Sequence, residues 1–224
     1  MEVSARNPIN TTIHQATTTK RLTWNILHPS SHHTNKHFTM SSEPKPLPPV
    51  KRYITTHDAE GNAIWDESVP LEVEEQRSGG FSIHSSYIHP DNSHDINSGD
   101  DLKAYREHPY EKDLAPESGS TLRVVDFWPG FPAVMHRTAS IDYGVVIEGE
   151  VDCVLDNGAT RTFRRGDIII QRGTNHAWKN SGTEVARVCF TLLPSAPIKV
   201  QGKELEVHGM ADLGRIAEEA SNIV

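Results

Sequence analysis

A chain of 224 residues suits one domain with extensions, and its formal net charge of -8 comes without the basic stripe that a phosphate backbone demands, so the expected partner is a small molecule and not nucleic acid. No apolar run approaches the ~18 residues that span a bilayer, and no apolar core near the N-terminus resembles a secretory signal, so a cytoplasmic protein without a membrane partner is expected. The two cysteines, Cys153 and Cys189, each lie in an apolar run and read as buried reduced thiols with no chemical role.

Residues 1–40 carry Arg6, Lys20, Arg21 and Lys36 against the single acid Glu2, a net of +3, which leaves -11 of the total of -8 for residues 41–224. Rich in Thr, Ser, Asn and His, this segment has too little apolar surface to offset its ordering entropy, and it reads as a disordered N-terminal extension. Its low acid content also suits a mitochondrial transit peptide, although no amphipathic stripe accompanies it; a start at Met40 or a plain tail is the simpler reading. Next, Lys51 to Thr56 and Ala63 to Trp65 flank the turn-forming run His57 to Asn62, which predicts a hairpin. From Asp91 to Ser120 the chain is polar and punctuated by Pro109 and Pro116, a long loop with a short helix over Asp100 to Glu107. His84, His89 and His94 fall in this loop-rich middle and read as surface residues.

Eight short β-rich runs follow: Leu122 to Trp128, Val134 to Ser140, Tyr143 to Ile147, Val151 to Leu155, Thr160 to Phe163, Asp167 to Gln171, His176 to Lys179 and Val185 to Leu193. Asp156-Asn157-Gly158 supplies a tight hairpin turn among them. So many close-spaced strands predict an all-β barrel or double-sheet roll, an architecture that leaves few open edges. Leu213, Ile216, Ala217 and Ala220 recur at helical spacing and predict a short closing helix over Ala211 to Ile223. The expected division is a disordered extension over 1–40, N-terminal strands and a long loop over 41–120, the barrel core over 121–198, and a C-terminal tail with a short helix over 199–224.

Strand alternation puts His136 and Thr138 on one face, Asp142, Gly144 and Val146 on one face after a bend at Ser140-Ile141, and His176 and Trp178 on one face of a distant strand. Two neutral imidazoles and a carboxylate arriving from separate strands form the donor set His136, Asp142 and His176, which suits Fe and would also hold Mn, Ni or Zn. In the competing arrangement no metal binds, His136 pairs with Asp142, and His176 acts alone as acid or base. Beside a metal, Thr138 hydrogen-bonds a ligand or bound water. Trp178 either stacks on a flat ligand or simply packs, and Tyr143 faces outward onto a second sheet. Arg137 and Arg172 either clamp a carboxylate or stand solvated at the rim.

Gly130, His136, Asp142 and Gly149, followed by Gly166, Gly173, His176 and Asn180, resemble the two motifs of the cupin family over roughly residues 120–195. The resemblance implies a double-stranded β-helix, or jelly-roll barrel. Thr138 stands where that family has a second histidine, Asp142 replaces its glutamate, and Gln171-Arg172 stands where its proline is usual. A hydroxyl is a poor metal ligand, so the usual four-donor set is not expected. The phrases Met135-His136-Arg137-Thr138 and Gln171-Arg172-Gly173-Thr174-Asn175-His176-Ala177-Trp178 are similar to those of small single-cupin proteins of fungal polyketide gene clusters, including salicylaldehyde-type ones. That likeness implies a tailoring oxidoreductase of secondary metabolism acting on a polyketide-derived carbonyl compound with a barrel-bound divalent metal. The alternatives are a metal-independent cyclase, dehydratase or isomerase, and a non-catalytic binder of small molecules. The family also implies a homodimer, with residues 50–90 as exchanged elements.

Overall fold

The computed structural model describes residues 44–78, 80–90, 96–107, 115 and 117–209. The expected N-terminal extension, the closing helix over Ala211 to Ile223 and His94 lie outside the described residues. Strands β1 (Ile54–His57) and β2 (Ala63–Asp66) form the predicted hairpin, pairing Ile54 with Asp66 and His57 with Ala63. Its turn is tied by the Asp58 carboxylate, which accepts from the backbone N–H groups of Glu60 and Asn62 and from the Asn62 side chain. Helix α1 (Asp100–Glu107) falls where the sequence predicts it, with Asp100 and Asp101 at the positive end of its dipole and Arg106 at the negative end.

Two antiparallel sheets enclose the core. The larger combines β3 (Gln76–Ser78), β4 (Phe81–His89), β5 (Ser120–Phe127), β6 (Ser140–Glu148), β9 (Ile168–Arg172) and β11 (Ala186–Pro194) in the order β3-β4-β5-β11-β6-β9. The smaller places β7 (Glu150–Leu155) between β8 (Thr160–Arg164) and β10 (His176–Lys179). Val146, Val188 and Phe190 of the larger sheet meet Val151, Cys153 and Trp178 of the smaller in one buried cluster, which makes this the expected all-β jelly-roll barrel. A short pair, β12 (Lys199–Val200) and β13 (Lys203–Glu204), carries the chain back toward the barrel.

Two expectations need correction. Residues 134–140 form no continuous strand: Pro129 and Pro132 precede them without N–H groups to donate, and the segment is held by isolated bridges from His136 to His176 and Arg137 to His208. His84 and His89 are not surface residues but lie buried on β4, a nine-residue strand hidden in the sequence by its Ser and His content. Both faces of β4 are covered, and a register shift between Ser85 and Tyr87 breaks its alternation, so neither period-2 patterning nor apolar composition marks it.

Candidate functional site

His136 and His176 come together through the backbone. Each donates its N–H to the other's carbonyl, at 2.8 and 3.0 Å, a hydrogen-bonded antiparallel pair that sets the two side chains next to one another. The imidazole centroids are 4.4 Å apart, with planes inclined by 57°. Each ring hydrogen-bonds through Nδ1 to a carbonyl two residues earlier, His136 to Val134 and His176 to Thr174, both at 2.9 Å. A carbonyl only accepts, so Nδ1 carries the hydrogen and Nε2 keeps its lone pair. Burial pushes the His176 ring down to about 4, assisted by the neighbouring His136 and opposed by the Thr174 carbonyl. His136 is also lowered, first by burial, against the Val134 carbonyl and with the help of His208. Both rings are therefore neutral at neutral pH.

The same stretch of chain then delivers a polar relay. Thr138, Ser140 and Asp142 are all buried, and the Ser140 hydroxyl lies 2.8 Å from Thr138 Oγ1 and 2.6 Å from Asp142 Oδ1. One hydroxyl donates one hydrogen. With Asp142 ionised the chain of bonds runs from Thr138 through Ser140 to the carboxylate, and with Asp142 protonated it can run the other way. Burial pushes the Asp142 carboxyl up to about 6, while the Ser140 hydroxyl and the charge of Arg123 pull it down. Arg123 is buried on β5 and is paired in register with Phe190, a core residue, so it too belongs to the inner wall.

The remaining expected residues divide by the face they occupy. Trp178 shares a face with His176 but packs among Phe127, Phe163 and Phe190, with centroids 5.4–6.1 Å away, so its ring belongs to the core cluster. Arg137 is committed to other segments: its Nη1 donates to the Glu206 carbonyl of the C-terminal segment and its Nη2 lies 3.8 Å from Asp156 in the turn after β7. Arg172 is exposed at the end of β9, on the face opposite Gln171. Tyr143 does face outward, but it is 43% exposed instead of packing on a second sheet.

Sequence reasoning missed Ser140, Arg123, Gln171 and the segment around His208. Extending the alternation of β9 inward from Ile169 would have found Gln171, whereas nothing local marks the return of residues 205–209 to the site. That return is tight. Gly209 has a φ of +86°, and a Cβ there would lie 2.4 Å from the Met135 carbonyl oxygen and 2.7 Å from His136 Cβ, so only glycine lets the tail lie against the imidazole pair.

Among the described residues, no group of three or more His, Cys, Asp and Glu side chains could hold a metal ion. Two imidazoles with free Nε2 atoms suit a transition metal, and Asp142, the expected third donor, accepts from Ser140 through Oδ1, the kind of bond a ligating carboxylate also keeps. Among the described residues the expected set of His136, Asp142 and His176 does not form such a group. What the chain's own residues can do is move protons: two neutral bases stand side by side, and the chain of one of them, His136, leads on to an acid of raised pKa, Asp142.

A sequence profile described as Cupin domain matches residues 123–192. The chain is 39% identical to phomopsin biosynthesis cluster protein C′ of Diaporthe leptostromiformis, covering 79% of this chain and 94% of that protein. It is 36% identical to oryzines biosynthesis cluster protein J of Aspergillus oryzae over 72% of this chain and 92% of that one. With the cupin-domain-containing oxidoreductase fogC of Aspergillus ruber it shares 37% identity over 76% of this chain and 83% of the relative.

Proposed function

The chain belongs to the cupin family, together with proteins of fungal biosynthetic clusters, and from that premise we propose that it is a tailoring enzyme acting on a carbonyl compound of polyketide origin held inside the barrel. The observation that carries the reading is the imidazole pair with Nε2 unprotonated, His176 buried and His136 half-buried, with His136 on the same stretch of chain as the Thr138–Ser140–Asp142 relay.

In the proposed step one Nε2 takes a proton from the carbon next to the carbonyl, and the carbonyl oxygen receives one from the Asp142 end of the relay. The C–H bond breaks, an O–H bond forms, and the product is an enol with no net change in oxidation state. Collapse of that enol onto a second carbonyl closes a ring; loss of a β-hydroxyl releases water. The imidazolium proton passes to the new alkoxide, the leaving hydroxyl or a different carbon, and the enol O–H proton returns to Asp142, so cyclisation, dehydration or isomerisation all fit the same groups.

A second reading, oxidation–reduction, is favoured by the names of the relatives, several of which are cupin-domain-containing oxidoreductases. Incubation with a linear polyketide aldehyde, with and without dioxygen, separates the two by product mass. The proton-transfer reading expects unchanged mass or loss of water in both atmospheres. An oxygen-dependent loss of two hydrogens would replace it with the oxidoreductase reading.

The proposal includes a homodimer. Its support is a row of exposed apolar side chains on the outer face of the large sheet, where Tyr143 and Val145 of β6 pair in register with Ile170 and Ile168 of β9.

A further inference from the structure

Strand β9 is exposed or half-exposed at every position but one. Ile168, Ile170 and Arg172 face outward, Ile169 is partly buried against the core, and Gln171 is 97% removed from solvent at 3% exposure. A structural wall at this position needs only an apolar side chain, as its isoleucine neighbours illustrate. The chain instead places a carboxamide there, and its Nε2 has no hydrogen-bond partner in the protein. A buried amide without a partner is destabilising, and such groups in folded proteins call for an explanation outside the apo chain.

Register says what stands beside it. Gln171 is the cross-strand partner of Asp142, and Asp142 is in turn the partner of Leu192 on β11, so the three side chains form one row on the inner face of the larger sheet. Directly paired residues bring their Cβ atoms to within ~4.5–5.5 Å, close enough for one ligand atom to touch both side chains. Asp142 accepts from Ser140, and Gln171 Nε2 has no partner, so both of its N–H groups stay available.

We propose that Gln171 is a substrate-binding residue that donates a hydrogen bond from Nε2 to the carbonyl oxygen of the bound compound, next to the Asp142 end of the relay. The inference rests on the carbonyl-compound reading above and narrows it: the barrel selects a ligand presenting an oxygen acceptor at this point, an aldehyde or ketone, over one of the same shape that lacks it. A hydrogen bond to that oxygen also withdraws charge from the carbonyl as its neighbouring C–H is deprotonated, so the amide would hold the substrate in the geometry that proton transfer requires.

Binding of benzaldehyde, which has no proton to lose, and of toluene, which has the same shape without the oxygen, tests this by NMR titration of the full chain and of Gln171→Met. The expected result is a roughly tenfold loss of benzaldehyde affinity in the variant, the size of one neutral hydrogen bond, with toluene affinity unchanged and with thermal stability equal to or above wild type because a stranded amide has been removed. The carbonyl stretch of bound benzaldehyde, read by difference infrared spectroscopy, is expected to rise in frequency in the variant. Equal benzaldehyde binding and an equal stretch in the two proteins would overturn the role of Gln171 while leaving a carbonyl-binding barrel in place. Failure of wild type to bind either probe would overturn the pocket reading, and this inference with it. A Gln171→Met protein that loses stability and both ligands together would mark the residue as structural and equally overturn the proposal.

Discussion

The Asp126 carboxylate illustrates how a single buried acid can hold part of this fold. Arg187 donates to it from Nε and Nη2 at 2.6 and 2.7 Å, His84 Nε2 lies 3.3 Å away, and the remaining Arg187 nitrogen reaches the Pro48 carbonyl. Burial alone would raise its pKa, but these partners hold it below the usual carboxylate range. A depressed folded-state value means the stabilisation is present above the unfolded carboxylate pKa and fades as pH falls through the lower folded value. Asp126→Asn is therefore expected to lose about 3–5 kcal/mol at neutral pH, because it leaves a buried guanidinium uncompensated, and to flatten the acid limb of stability. Urea midpoints from pH 7 down to pH 3 check both. The thiol of Cys153 gives a second test at this scale: burial pushes it up to about 11, so it should resist a thiol reagent such as DTNB at pH 8 until the chain unfolds.

At the scale of elements, the larger sheet depends on a missing side chain. A Cβ on Gly144 would lie 2.7 Å from Ile169 Cγ2 and 2.9 Å from Phe190 Cε1, so Gly144→Ala overpacks the inner wall. The expected cost is about 1–3 kcal/mol in chemical denaturation, with an unchanged slope against denaturant. Elements with clean signals were legible in the sequence. The β1–β2 hairpin, helix α1 and strands β5 to β11 announce themselves by turn residues and alternation, and the motif histidines were found by spacing. Strand β4 was not legible, because a bulge and two buried faces erase its period, and the run after Pro132 looked like a strand although its only ladder contacts are single bridges. For the site, the structure brings the two imidazoles together from distant positions as expected, whereas Ser140, taken for a bend, is the hydroxyl that donates to Asp142. Gly209 lay beyond any local pattern, since its contact with His136 spans more than seventy residues of chain. Gly209→Ala should shift the His136 ring resonances in NMR spectra while leaving those of the distant β1–β2 hairpin in place.

For the whole molecule, the outer face of β6 and β9 is the surface left open. Tyr143, Val145, Ile168 and Ile170 are 39–64% exposed and adjacent, an apolar row that a second copy of the chain would cover. Sedimentation equilibrium is expected to give twice the chain mass of 24.9 kDa, and Ile168→Lys with Ile170→Lys to give the monomer with an unaltered circular dichroism spectrum. A wild-type monomer would remove the dimer from the account. The central claim, that the paired imidazoles abstract a proton beside a carbonyl, is tested most directly by incubating wild type and His176→Ala with phenylacetaldehyde in D2O and following loss of the α-proton signal by NMR. Exchange well above the buffer rate in wild type, reduced by about 10²-fold or more in the variant, is the result expected for a general base of this kind. Wild-type exchange at the buffer rate, or exchange that His176→Ala leaves unchanged, would contradict it.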